Sequence, residues 1–101
     1  AAEFHDNGIA TSISEGCNEG AQVLNSQVAD ELLYIRGVRA SFVAGRTETG
    51  KTVISARSLG ELNVQVIMEK LGGGGHLTTA GAQVDCSPEE VISKVLDIIK
   101  N

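Results

Sequence analysis

The chain contains no tryptophan, one tyrosine and two phenylalanines, so aromatic residues make up only 3% of its 101 positions. Its core must therefore be built from Val, Ile, Leu and Ala, and few rings are at hand for stacking bases. No apolar run approaches the length needed to cross a bilayer, and no stretch reads as a signal peptide. Cations are also scarce: eight Lys and Arg against thirteen Asp and Glu give a formal net charge of −5. A surface that grips long DNA or RNA is usually basic, because neutralising phosphates supplies most of the non-specific affinity. The acidic balance argues against a long duplex as partner. It leaves room for a small anionic ligand held by one or two local cations.

Residues for self-sufficient chemistry are missing too. Cys17 and Cys86 lie far apart in no CxxC or Cys/His cluster, and read as free thiols of a reducing compartment. The two histidines, His5 and His76, stand near no cluster of carboxylates, and His5-Asp6 reads as part of a linker. There is no HExxH, no paired-carboxylate arrangement and no activated Ser or Cys. No residue of this chain is assigned a catalytic role, and no metal or cofactor is expected on it.

What is present suffices for one compact domain. The chain begins Ala1-Ala2-Glu3-Phe4 without an initiating Met, which suggests a piece of a longer protein. Residues 1–8 are read as a linker from a missing upstream domain and 9–101 as the folded unit. Ile9–Ser14 reads as a strand and Gly16–Gly20 as a polar turn in which Asn18 could cap a helix. That helix runs from Ala21 to Tyr34 on a stripe of Leu24, Val28 and Leu32, with Gly37 stopping it.

Val38–Ala44 alternates as a second strand, Glu48–Lys51 is hairpin-turn chemistry, and Thr52–Ser58 returns antiparallel. Period-2 alternation puts Val53, Ser55 and Arg57 on one face and Ile54, Ala56 and Ser58 on the other. Asn63 caps a second helix carrying Val64, Ile67, Met68 and Leu71 at i, i+3, i+4 and i+7. Thr79–Val84 is a small-residue strand, and Ser87-Pro88-Glu89-Glu90 starts a helix buried through Val91, Val95 and Ile98. The order β-α-β-β-α-β-α gives an α/β (α+β) fold, a mixed sheet covered by helices in two or three layers.

Four consecutive glycines, Gly72-Gly73-Gly74-Gly75, precede His76 between a helix and a strand. Each costs conformational entropy, which is justified by backbone angles closed to other residues or by close approach of a ligand. Backbone N–H groups there can cradle an anion, and His76 adds a donor. A helix C-cap followed by a flexible loop is the plainer explanation. The run is neither a Walker loop nor GxGxxG, since no Gly-Lys-Ser/Thr follows and Leu77 stands where a last glycine belongs. It follows a helix, whose negative end repels anions, so a phosphate here needs a cation from elsewhere. Arg57, flanked by Ser55 and Ser58 at a strand end, is the candidate; a surface ion pair is its alternative. Arg36, Arg39 and Arg46 are read as solvated.

Ser55-Ala56-Arg57-Ser58, Asn63-Val64 opening a helix, Gly72–His76 and Ala80-Gly81 together resemble the DHH-associated C-terminal domain of DHH-family phosphodiesterases. The resemblance runs from about Ile9 to the last helix. It is strongest to the membrane-anchored cyclic di-AMP phosphodiesterases of Gram-positive bacteria. It implies an upstream DHH catalytic domain in cis, holding two Mn²⁺ ions, and a cytoplasmic domain here that makes no direct membrane contact. By position, Arg57, Ser58, Gly72, Gly73, Gly74, Gly75 and His76 would bind substrate, a small nucleotide such as cyclic di-AMP or a short oligonucleotide. Ser55 and Asn63 would support them, and the isolated chain would be inactive. Another class to weigh is the single-stranded RNA or tRNA-associated module of nucleases and alanyl-tRNA synthetases. In the synthetase version a basic residue other than His tends to follow the glycines, so Gly75-His76 favours the phosphodiesterase branch. A purely structural or dimerising domain would leave the glycines and His76 without a purpose.

Overall fold

The computed structural model describes residues 2–17 and 20–100, with no statement on the side chains of residues 15–17. Its strands are β1 (Ala2–His5), β2 (Ile9–Cys17), β3 (Ala40–Arg46), β4 (Thr52–Ser58), β5 (Gly74–Gly75) and β6 (Thr79–Val84). Its helices are α1 (Ala21–Leu32), α2 (Val64–Lys70) and α3 (Pro88–Lys100), and a 3-10 turn covers Asp6–Gly8. The strands form one sheet in the order β1-β2-β3-β4-β6-β5. Only β2 and β3 pair in parallel, and α1 makes the crossover that such a pair requires. The mixed α/β fold expected from the order of elements is the one observed, with two strands added.

The first added strand is β1, inside the stretch read as linker. It pairs antiparallel with β2 through Ala2↔Ser12 to His5↔Ile9, and the His5 ring bonds Thr11 Oγ1 at 2.8 Å. The second is the two-residue β5 on the opposite edge. Asn18, expected to cap α1, lies outside the described residues; Gly20 occupies the N-cap. α1 ends at Leu32 rather than Tyr34 because Leu33, Tyr34 and Ile35 tighten into i→i−3 bonds to Asp30, Glu31 and Leu32. Asn63 does cap α2, accepting from the Val66 amide, and Ser87 Oγ accepts from the Glu90 amide at the start of α3. No described helix is long and apolar enough to cross a membrane.

Three layers result. On one face Phe42, Ala44, Ile54, Ala56 and Ala80 pack beneath α2 and α3, which bury Val64, Ile67, Met68, Val91, Ile92 and Val95. The other face carries α1 alone, and its seam is made of small and polar groups. The buried stripe of α1 is Ala21, Asn25, Ala29 and Leu32, whereas Leu24 is exposed. The stripe expected on Leu24 and Val28 is thus rotated by about one residue, because close approach to the sheet favours alanine over leucine. Asn25, fully buried, accepts from Ser14 Oγ at 2.9 Å and donates to the Val53 carbonyl at 3.3 Å. Ser41 Oγ donates to the Ala29 carbonyl at 2.7 Å.

Asn25→Ala removes both bonds from a closed seam, and the expected cost is about 2 kcal/mol of stability. Thermal unfolding checks this. An unchanged midpoint would show that α1 is held by its apolar contacts alone.

Candidate functional site

α1 lies over β3 and β4, and on that side β6 and β5 are bare. Beside the helix a hollow of about 510 Å³ opens over β4, β6 and β5. Cross-strand register orders its floor in rungs. Arg57 faces Thr79 across β4 and β6, Ser55 faces Gly81, and Val53 faces Gln83. Gly74 of β5 continues the middle rung, so Ser55, Gly81 and Gly74 form a row with almost no side chain. α1 runs beside β4 in step with it, as Asp30 meets Arg57 and Ser26 meets Ser55. A four-residue helical step rises about 6 Å and a two-residue strand step about 6.6 Å, which keeps helix and strand in register.

Arg57 is paired, but not consumed. Its side chain is 13% exposed; Nε donates to Asp30 Oδ1 at 2.8 Å and Nη1 to its neighbour Ala56's carbonyl at 2.9 Å. Those bonds fix the plane of the guanidinium and leave Nη2 uncommitted at the edge of the hollow. Asp30 offsets part of its charge, so what Arg57 chiefly offers is directed N–H donors. Of the three arginines expected to be solvated, two have partners at the surface: Arg39 pairs with Glu61, and Arg46 donates to the Gly50 carbonyl.

The glycines separate by function. Gly72 (φ +89°) follows the α2 C-cap, donating to the Glu69 carbonyl at 3.1 Å, while Gly73 donates to Met68 at 2.8 Å. This is a Schellman closure of the helix. A Cβ on Gly73 would fall 2.2 Å from the Gly81 carbonyl oxygen, and one on Gly75 (φ +144°) 2.5 Å from Ala80 Cα. Both glycines therefore permit β5 to lie against β6. Gly74 has neither reason: its φ is not positive, and a Cβ there would meet nothing within 4 Å. It opens onto the hollow.

The amides are less free than the run of glycines suggests. Those of Gly72 and Gly73 close the helix, and that of His76 donates to the Thr79 carbonyl at 2.6 Å. Antiparallel pairs alternate between bonded and non-bonded. With His76 and Thr79 bonded, Gly74 faces Gly81 and the Gly75 N–H points off the open sheet edge. The amide cradle expected from Gly73 to Gly75 thus narrows to Gly75, beside the exposed His76.

Arg57, Ser55, Gly73, Gly74, Gly75 and His76 are brought to one hollow. Ser58 is not: it sits on the other face, buried, with Oγ accepting from the Gly60 amide at 2.9 Å. Gly72 and Asn63 also stand outside, each occupied at an end of α2. The residues not anticipated are Gln22 and Ser26 of α1, Thr79 and Gln83 of β6, and Asp30, which anchors Arg57. Gln22, Ser26 and Asp30 recur every four residues, a polar stripe that carries no apolar periodicity. Among the described residues no three His, Cys, Asp or Glu side chains gather where a metal ion could be held.

The DHHA1 domain family model matches residues 6–101. Over 83 residues the chain is 53% identical to the cyclic-di-AMP phosphodiesterase GdpP of Geobacillus thermodenitrificans. Over 82 residues it is 48% identical to the cyclic-di-AMP phosphodiesterase PdeA of Listeria monocytogenes. These alignments take in 82% and 81% of this chain but only 13% and 12% of those proteins. The bifunctional oligoribonuclease and PAP phosphatase NrnA of Thermus thermophilus is 30% identical over 98 residues, 96% of this chain and 30% of that protein. Among solved structures, an exopolyphosphatase-related protein from Bacteroides fragilis superposes with a TM-score of 0.78 at 21% identity. That match covers 98% of this chain and 31% of the other, and it shows the shared fold.

The division among the glycines is testable by substitution. Gly74→Ala should fold with its stability changed by less than about 1 kcal/mol, whereas Gly73→Ala and Gly75→Ala should each lose several times more. Denaturant unfolding of the three variants checks this. Equal losses at all three positions would show that Gly74 also serves the fold.

Proposed function

The chain belongs to the DHHA1 domain family, and on that footing we propose that it is the nucleotide-holding domain of a phosphodiesterase acting on cyclic di-AMP or short oligonucleotides. Two relatives near 50% identity carry the name cyclic-di-AMP phosphodiesterase, and a more distant one is named an oligoribonuclease. The observation that carries the reading is Gly74. It is the one residue of the glycine run that the fold does not require, and it opens the backbone to the hollow beside His76 and Arg57.

In this scheme a phosphoryl group rests at the first rung, between His76 and Arg57, at the end of the bare Gly74–Gly81 row. The His76 imidazole and the free Nη2 of Arg57 donate to its oxygens, and Asp30 holds Arg57 in place. Such directed donors orient an anion without need of a strongly positive surface, which agrees with the chain's formal net charge of −5. The catalytic chemistry belongs to a DHH domain elsewhere in the parent protein. The two Mn²⁺ ions would be held there. The parent is taken to be anchored to a membrane with this domain on its cytoplasmic side.

The test uses the full-length phosphodiesterase. His76→Ala removes a donor and Gly74→Val fills the open position, and neither residue supports the core. Each should lower kcat/KM on cyclic di-AMP by about tenfold or more, the scale of one lost charge-assisted contact. Bound metal and the thermal midpoint should stay unchanged. Unaltered turnover in both variants would contradict the assignment.

A further inference from the structure

The hollow has a second end. Arg57, Thr79 and His76 occupy the first rung and the small-residue row the middle one. The last rung is Val53 with Gln83, and the polar stripe on α1 places Gln22 beside it. From Thr79 to Gln83 the strand advances about 13 Å, at about 3.3 Å per residue. Both carboxamides line the hollow, and neither side chain is bonded to any other described group. The next cation along this face, Lys51, is paired with Asp85. This end therefore offers two uncharged groups, each a donor and an acceptor, where the first end offers a guanidinium and an imidazole.

We propose that Gln22 and Gln83 read the base of the bound nucleotide, selecting the adenine edge on which an amino donor lies beside a ring acceptor. This rests on the nucleotide-binding reading of the hollow and adds its base preference. A carboxamide presents one acceptor and one donor side by side and so matches adenine N6 and N7 in a bidentate pair. Guanine presents two acceptors on that edge, O6 and N7, and asks for the paired donors of an Arg or Lys, which this end lacks. The floor suits a flat ring, because Gly81 and Gly74 let it approach the peptide planes. Gln22 and Gln83 are both exposed and support no core contact, so their replacement tests recognition apart from folding.

The experiment compares kcat/KM for cyclic di-AMP and cyclic di-GMP in the full-length enzyme. Gln22→Ala and Gln83→Ala should each lower the value for cyclic di-AMP about tenfold, and so shrink the preference over cyclic di-GMP. Gln83→Arg should go further and raise cyclic di-GMP relative to cyclic di-AMP. His76→Ala, acting on the phosphate, should lower both substrates alike and keep their ratio. If the glutamine variants keep the wild-type ratio while His76→Ala loses activity, the base-reading role is wrong and the phosphate site stands. Activity unchanged by His76→Ala would overturn both. Equal use of the two dinucleotides by the wild-type enzyme would also overturn the proposal.

Discussion

A single helix about 10 Å across covers only two or three strands spaced about 4.8 Å apart. The sheet here has six strands. Two helices, α2 and α3, share one face and close it over the apolar core, while α1 lies alone on the other, over β3 and β4. The side of β6 and β5 next to α1 is left open. Every feature of the site follows from that mismatch: the hollow beside α1, the residues of alternate parity that face it, and the need for an uncluttered floor. The closeness of α1 to the sheet adds to it. Its seam of alanines, Asn25 and serine hydroxyls sets the helix down low, so that Gln22, Ser26 and Asp30 stand as a wall at the level of the strands.

The wall and the floor together explain why an acidic domain can still hold an anion. Asp30 uses part of the charge of Arg57 to fix its geometry, leaving a donor with a set direction rather than a mobile cation. The glycine run contributes less hydrogen bonding than its length suggests, because two amides close α2 and Gly74 is taken up in pairing with Gly81 of β6. Its main contribution is the absence of side chains. Gly73 and Gly75 bring β5 against β6, and Gly74 then leaves the face of that short strand open.

Most of the fold was legible in the sequence because its elements carry strong local signals. The alternation in Thr52–Ser58, the capped start at Ser87-Pro88 and the i, i+3, i+4 pattern from Val64 each mark an element whose apolar face meets the core. β1 was missed although Asn7-Gly8 is hairpin chemistry, with both residues at positive φ. Polar Glu3 and His5 masked an edge strand that buries little. The stripe of α1 was displaced because hydrophobicity alone ranks Leu24 above Asn25, whereas distance to the sheet reverses them. At the site, period-2 alternation already separated Ser58 from Ser55 and Arg57, and following it would have excluded Ser58. The share of each glycine could not be read locally, since it depends on the approach of β5 to β6, a contact between distant turns of the chain.

The most direct test of the account is the structure of the full-length phosphodiesterase bound to a non-hydrolysable cyclic di-AMP analogue. A phosphoryl oxygen should lie about 3 Å from the His76 ring, beside the open Gly74, with Arg57 still held by Asp30. A nucleotide bound with this hollow empty, or one whose phosphates touch neither His76 nor Arg57, would contradict it.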